Sequence, residues 1–400
     1  MAPRAMRRAK LALIVAALVG APLATLTPAQ QSSAVAAPIE PPEAPLPPEQ
    51  DSAGVTRFSF IAYGDTRSQV DGLALQPDHG ELVARMVSYA HAHESTMSPV
   101  RFVVQSGDAV TKGSDAAQWD VSFSPLVGRL TRGAGLPYFF TIGNHDAPAV
   151  VGPRALGLRN ALSAISTLVP PEGSPRRLSG YPTYAFGFGN LFGIAIDSNI
   201  AADAVQLAWV ANQLDQVDRA RYRHVLVFFH HPIFSSGPHG GSAPRPAAGQ
   251  SGTGPNGQTM PEDSVELETA ALRRWYAPLF RRHHVRLTIS GHDHLFDHFV
   301  EHYVDAGVTY RRDDIVTGGG GAPIYTYRGE PELSAYLAAG SKESVRVDHL
   351  MKPGATAAGN PHHFLVVGVD ADRLSVEVFG IGGGHYRPYA GRSRIDLIDP

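Results

Sequence analysis

The chain repeats one pattern, in which an apolar run is followed directly by a short polar cluster. Runs of this length and composition are typical of buried strands. Five of them end in the clusters Gly64-Asp65, Gly107-Asp108, Gly143-Asn144-His145-Asp146, His230-His231-Pro232 and Gly291-His292-Asp293-His294. These clusters carry carboxylate, amide and imidazole groups, which are metal-ligand types. Because such ligands recur at five strand ends, the pattern predicts a metal site.

Helical patterns separate the first three apolar runs. The pattern predicts strands over 57–63, 101–106 and 137–142, with helices over 77–93 and 116–130 between them. Alternating strands and helices favour an α/β sheet, whose sites lie beyond the carboxyl ends of the strands.

The rhythm changes after residue 180. Gly189-Asn190 is a natural hairpin turn between two apolar runs. The later pattern predicts helices over 207–217 and 265–282, and strands over 184–188, 191–196, 225–229, 285–289, 308–316, 364–369 and 374–378. We therefore expect two packed sheets flanked by helices.

The N-terminus has the pattern of an export signal. Arg7 and Arg8 precede a short apolar stretch and small residues, as in a secretory signal peptide. We assign residues 1–29 to this signal and place the protein outside the cytoplasm (secreted, periplasmic or in the cell envelope), with the export route and cleavage point open. The alternative is an uncleaved anchor; after cleavage we expect no stable membrane span.

The remaining chain divides by composition. Residues 30–55 are rich in proline and alanine, which predicts an extended linker. We assign 56–400 to one domain, with further sheet strands in 305–400. Within it, 235–263 is a long segment rich in glycine, proline and serine; such segments are functional lids or unstructured inserts, and both readings stay open.

Composition and charge limit the kinds of partner and metal ligand that this chain can have. Hydrophobic residues make up 43% of the chain, as in a globular protein. The net charge of −3 gives no footprint for nucleic acid or an anionic membrane. The chain has no cysteine, so disulfides and thiolate ligands are excluded.

The ordered motifs G-D-T-R, G-D, G-N-H-D, H-H-P and G-H-D-H resemble those of the calcineurin-like metallophosphoesterases, which include the purple acid phosphatases. The resemblance covers about residues 57–300. It implies an α/β (α+β) fold, a four-layer αββα sandwich of two mixed sheets flanked by helices. It also implies two divalent or trivalent metal ions (Mn, Fe or Zn).

The resemblance assigns the site residues by motif. Asp108 would bridge both ions. The remaining ligands would be Asp65 and His294 for the first ion, and Asn144, His230 and His292 for the second. His145 resembles the family's catalytic histidine that binds no metal, and Asp146 would orient it by a hydrogen bond. Taken alone, Asp65 and Asp108 could equally be caps of the helices that follow them.

Arg67 departs from the family pattern. The commoner first motif has a histidine ligand at this position, whereas arginine has only hydrogen-bond donors. We hypothesise that Arg67 binds the substrate phosphate, for which its planar fork is suited; the alternative is an outward salt bridge. Thr111 stands where purple acid phosphatases have their tyrosine ligand. His231 is either structural or close to the substrate, and we count it with Arg67 as a substrate-binding candidate.

The resemblance implies hydrolysis of a phosphate ester, on a small molecule or nucleotide, by a hydroxide that the metal pair activates. Phosphomonoesterase and phosphodiesterase or nucleotidase activity stay open at this stage. A non-catalytic binding module of the cell envelope is the alternative from another class.

Overall fold

The computed structural model describes residues 35–68, 71–72, 75–150, 152–240, 265–381 and 386–398. The predicted signal peptide (1–29) and most of the predicted 235–263 insert lie outside the described residues. Among the helices that the structure describes, none combines the length and the apolar character that crossing a bilayer requires.

The described residues form two mixed β-sheets. The strands are β1 (Arg57–Tyr63), β2 (Val100–Gln105), β3 (Tyr138–Phe140), β4 (Tyr184–Phe188), β5 (Leu191–Ala195), β6 (His224–Phe228), β7 (Leu287–Ser290), β8 (Phe296–Asp305), β9 (Val308–Thr317), β10 (Arg346–Met351), β11 (His363–Asp370), β12 (Arg373–Gly380) and β13 (Arg394–Leu397). The first sheet has the order β13-β12-β11-β1-β2-β3, and the second β10-β8-β9-β7-β6-β5-β4.

Helices pack on the outer faces of both sheets. They are α1 (Pro77–His93), α2 (the consecutive helical turns Gln118–Phe123, Ser124–Gly128 and Arg129–Gly133), α3 (Pro153–Ala164), α4 (Ala204–Asp215), α5 (the consecutive turns Leu267–Ala271, Leu272–Tyr276 and Ala277–Arg282) and α6 (Ser334–Ala339). Helix α1 starts with Pro77, where the missing N–H is tolerated. Its buried residues Leu82, Val83 and Met86 join the core of the first sheet. The predicted fold class is confirmed.

Aromatic side chains fill the space between the two sheets. Phe139 of β3 and Phe186 of β4 stack with ring centroids 3.7 Å apart, which joins the edges of the two sheets. Phe102 meets Phe186 edge to face. A second apolar cluster lies on the other face of the second sheet, under α4 and α5. This packing fixes the relative position of the two sheets, and the loops at their ends are fixed with them.

The N-terminal strap (residues 35–55) is not a free linker, and the prediction of an extended tether is wrong for these residues. Ala36 and Ile39 are 1% and 2% exposed. The amide of Ile39 donates to the Ala164 carbonyl at 2.9 Å, and Glu43 donates likewise to Thr131. Proline prevents regular structure, but it leaves apolar anchors and backbone amides able to pack against a neighbouring surface.

Candidate metal centre

The five predicted polar clusters meet at one edge formed by both sheets. They follow β1, β2 and β3 in the first sheet and β6 and β7 in the second. Neighbours within each of these sets run parallel, so their carboxyl ends lie together. The loops bond to one another: Asp65 N donates to the Gly107 carbonyl at 2.9 Å, and Gly291 N to the His230 carbonyl at 3.0 Å. Strand order therefore brings residues distant in sequence into one site.

Three of the predicted ligands have left-handed backbone conformations. The φ angles are 58° at Asp65, 55° at Asp108 and 70° at His292. Such angles turn each side chain sharply out of its strand direction and into the site. Gly107 has φ 102°, and a Cβ there would lie 2.7 Å from Nδ1 of His230. The glycine before Asp108 is therefore required by the close approach of the β6 loop.

Four predicted ligands converge around Nε2 of His230. This atom lies 2.9 Å from Oδ1 of Asn144, 3.1 Å from Nδ1 of His292 and 3.4 Å from Oδ1 of Asp108. Ligand atoms about 2.0–2.2 Å from one tetrahedral ion are themselves about 3.3–3.6 Å apart. The spacing is close to that of a metal site, which we call the second position.

The hydrogen-bond partners fix which ring nitrogens carry lone pairs. Nδ1 of His230 faces the Ser106 carbonyl at 3.0 Å, so it carries the hydrogen and Nε2 is a lone pair. Nε2 of His292 faces the Glu266 carboxylate at 2.7 Å, so its Nδ1 is a lone pair. Burial lowers the pKa of both rings, which keeps them neutral. Lone pairs that face one another at this distance need a cation between them, so the second position fits a metal ion.

Glu266 belongs to the site although no sequence motif marked it. It stands immediately before α5, and its carboxylate accepts from His292 Nε2 and from His239 Nδ1, both at 2.7 Å. The residue follows the segment 241–264 and no predicted strand precedes it. The available signal was an acidic residue at the start of a helix, which is ordinarily a cap. Glu266 fixes the ring orientation of a predicted ligand, a common arrangement around metal-binding histidines.

The buried side chains of Asp65 and Asp108 need positive charge nearby to be ionised. Burial and the neighbouring Asp108 carboxylate raise the pKa of Asp65 well above its ordinary value. Burial also opposes ionisation of Asp108, but the Arg67 charge and the hydrogen bond from the His145 amide hold its pKa far below the ordinary value. Cations are therefore needed to keep both side chains ionised in this interior.

The first position, among Asp65, Asp108 and His294, is filled by Arg67. Its Nε donates to Oδ2 of Asp108 at 3.1 Å, and its Nη2 lies 3.4 Å from Nε2 of His294. Nδ1 of His294 faces the Pro323 carbonyl at 2.7 Å, so Nε2 is the acceptor. Arg67 thus points into the site rather than outward, and the outward salt bridge is excluded. As arranged, the first position does not fit a metal ion.

His145 lies at the rim of the site with its side chain 32% exposed. Its Nδ1 donates to the Thr111 carbonyl at 2.8 Å, and its Nε2 is 4.0 Å from Oδ2 of Asp108. The hydrogen bond that we predicted from Asp146 to this ring is wrong. The Asp146 carboxylate instead accepts from the backbone amides of Gly143, Ala109 and Val110, at 2.8, 2.9 and 3.2 Å. Asp146 holds the two ligand loops together, and Thr111 orients His145.

His231 is buried beside His292. Its Nδ1 forms a hydrogen bond with the Ser198 hydroxyl at 2.9 Å. The ring centroids of His231 and His292 are 4.4 Å apart. Burial lowers the pKa of His231 to about 4. Of the two roles that the sequence left open, the structural one fits this position. Tyr325, which the sequence did not single out, stacks on His294 with centroids 4.2 Å apart.

Solved structures share this fold. The yellow lupin (Lupinus luteus) purple acid phosphatase PPD1 aligns with 86% of this chain at 14% identity and a TM-score of 0.52, and the alignment covers 54% of that protein. This chain therefore spans about half the length of that phosphatase. GAP50 of Plasmodium, an inner membrane complex anchor, shows a weaker likeness over 82% of this chain and 85% of its own, at 14% identity and a TM-score of 0.44. The likeness to PhoD covers 83% and 66% of the two chains, at 11% identity and a TM-score of 0.46.

No curated protein matches the sequence. At these identities the solved structures show the fold alone. The sequence itself gives the closer relationship, because residues 79–296 match the family model described as calcineurin-like phosphoesterase. That span is more than half of the chain and runs from α1 to the start of β8, which includes all but the first of the five ligand loops. The chain belongs to the calcineurin-like phosphoesterase family.

Proposed function

We propose that this protein is a metal-dependent hydrolase of phosphate esters, exported from the cytoplasm. The observation that carries the proposal is the set of lone pairs around His230, contributed by Asp108, Asn144 and His292. His230 Nε2 and the three acceptor atoms that lie 2.9, 3.1 and 3.4 Å from it come from four different loops. A purely structural cluster would alternate donors with acceptors instead.

A metal ion at the second position would polarise a phosphate oxygen and lower the pKa of a bound water. The protein supplies the remaining roles. Arg67 presents positive charge beside that position, and the N–H groups not used by Asp108 and His294 can bind a phosphate oxygen. His145 is the group placed to protonate the leaving oxygen, because Thr111 holds its Nδ1 and leaves Nε2 to carry the transferred proton.

The first experiment compares hydrolysis of a chromogenic phosphate monoester with that of the matching diester, with Mn²⁺ supplied. Asn144→Ala removes a neutral ligand of the second position, and Asn212→Ala, on the exposed face of α4, is the matched control. We expect turnover that Asn144→Ala loses and Asn212→Ala keeps. The preferred ester assigns the subclass, phosphomonoesterase or phosphodiesterase. Tight Mn²⁺ binding without turnover of either ester would favour the non-catalytic binding module.

The export part of the proposal rests on the basic and apolar N-terminus. It is tested by expressing the full chain in a bacterial host and determining the N-terminal residue of the protein in the cell-envelope and culture fractions. Removal of the first 29–36 residues in those fractions supports export. Protein that stays in the cytoplasm with its N-terminus intact contradicts it.

A further inference from the structure

The position of Arg67 bears on how many metal ions the centre can hold. We infer that the Arg67 guanidinium takes the place of the first metal ion, so that this chain binds a single ion, at the second position. The inference rests on the proposed function for the existence of the centre, and it departs from the two ions that the family resemblance implies.

The distances leave an ion no room at the first position. Arg67 Nε and Nη2 lie 3.1 and 3.4 Å from Asp108 Oδ2 and His294 Nε2. A Zn²⁺ ion would have to approach the same two atoms to about 2.0–2.2 Å. Since a guanidinium has donors only, it competes for these atoms and cannot act as a further ligand.

The arginine also satisfies the electrostatic demand at this position. Asp65 and Asp108 are 0% and 1% exposed, and both carboxylates interact with the Arg67 charge. The same side chain donates to the neutral lone pair of His294, whose ring is fixed by the Pro323 carbonyl and the stacked Tyr325. A cation that belongs to the polypeptide therefore neutralises charge where relatives with a histidine in this motif would bind an ion.

Arg67 is held in place by its own loop. Its amide donates to the Asp108 carbonyl at 3.0 Å, and its side chain is only 14% exposed. The next residue, Ser68, donates its amide to Asp71, whose other oxygen accepts from Thr111. To admit an ion, the side chain would have to leave two buried acceptors while its backbone stayed in place.

The second position differs from the first in the chemical groups that surround it. The atoms of Asn144, His230 and His292 that face one another are acceptors. The Arg67 contacts that the structure shows go to Asp108 Oδ2 and His294, whereas Oδ1 of Asp108 faces His230. The two oxygens of one carboxylate thus serve a guanidinium on one side and a metal position on the other.

The test is the Mn²⁺ stoichiometry of the full-length protein, measured by elemental analysis after loading and removal of free metal, together with its electron paramagnetic resonance spectrum. Arg67→His restores the commoner ligand, and Arg85→His, on the exposed face of α1, is the matched control. We expect one ion and the hyperfine lines of an isolated Mn²⁺ in the wild type and in Arg85→His. Arg67→His should bind a second ion at least about 100-fold more tightly than the wild type does, and should show a spin-coupled spectrum.

Two ions per chain with a spin-coupled spectrum in the wild type would overturn the inference and leave the proposed function intact. A wild-type protein that binds no Mn²⁺ or Zn²⁺ would overturn both. Because the wild-type stoichiometry decides between one ion and two, the test does not depend on whether Arg67→His folds.

Discussion

Nε2 of His292 donates a hydrogen bond of 2.7 Å to the carboxylate of Glu266, a residue 26 positions earlier in the chain. This contact places the His292 lone pair on Nδ1, toward His230. Glu266→Ala should therefore weaken metal binding at the second position about 10–100-fold, because the ring loses both its orientation and its preferred tautomer.

A Mn²⁺ titration of Glu266→Ala followed by calorimetry measures this effect. Glu266→Gln, which keeps an acceptor oxygen, should lose less affinity than Glu266→Ala. Glu94→Ala, an exposed change at the end of α1, is the matched control. Unchanged affinity in Glu266→Ala would show that the carboxylate does not orient the ligand.

His145 should be required for turnover and dispensable for metal binding. Its backbone amide donates to Asp108, but its ring is directed toward the rim, where Thr111 holds it. Loss of a proton donor from the leaving oxygen lowers kcat by roughly 10²–10⁴-fold. Steady-state kinetics of His145→Ala, compared with the exposed His91→Ala, tests this expectation. Loss of the bound metal in His145→Ala would mean that the ring supports the centre itself.

The interior histidine His363 should make stability depend on pH. Burial lowers its pKa to about 4, and its Nε2 lies in the interior without a hydrogen-bond partner among the described residues. The unfolded chain takes up the proton below about pH 6.5, whereas the folded chain resists it until about pH 4. The contribution of His363 to stability is therefore present above pH 6.5 and falls as the pH decreases toward 4, by about 2 kcal/mol between pH 6.5 and 5.

Urea unfolding at pH 6.5 and pH 5, in the same chelating buffer, measures that loss. His363→Gln should remove about 2 kcal/mol of the pH-dependent loss, and the exposed His91→Gln should keep it. An equal loss in the wild type and His363→Gln would show that the buried ring does not resist protonation.

The strap should stabilise the domain through Glu49. Its two carboxylate oxygens pair with Nε and Nη2 of Arg176 at 2.9 Å each, and the Tyr222 hydroxyl donates to it at 2.9 Å. Glu49→Ala should lower the free energy of unfolding by roughly 2–3 kcal/mol, because charged partners lose their bonds. Thermal unfolding tests this, with the exposed Glu94→Ala as the control; equal melting temperatures would mean that the strap contributes little.

The sequence predicted most of the scaffold and most of the residues that the structure brings together at the site. The predicted strands before Asp65, Asp108 and His292 are close to the observed β1, β2 and β7, because period-two and fully apolar runs are local signals. Family motifs then marked side chains whose order along the chain follows the strands. These predictions required no knowledge of long-range contacts.

The features of the site that the sequence did not predict depend on long-range contacts. Glu266 reaches His292 from a helix start, Tyr325 stacks on His294 from an irregular stretch, and the Asp146 carboxylate turns toward backbone amides rather than the adjacent ring. The strap is held by bonds to residues more than 80 positions away. Each is a tertiary partnership between residue types that would look ordinary in a loop or at a helix end.

The left-handed backbone of Asp65, Asp108 and His292 lowers the stability of the fold at the residues predicted to bind metal. A non-glycine residue in that conformation costs on the order of 1–2 kcal/mol, and burial beside the Asp108 carboxylate, which raises the pKa of Asp65, adds to the cost at that position. In the metal-free protein, Asp65→Gly should therefore melt at a higher temperature than the wild type, although it would lack a predicted ligand. The residues predicted to bind the metal ions are ones that folding alone would replace.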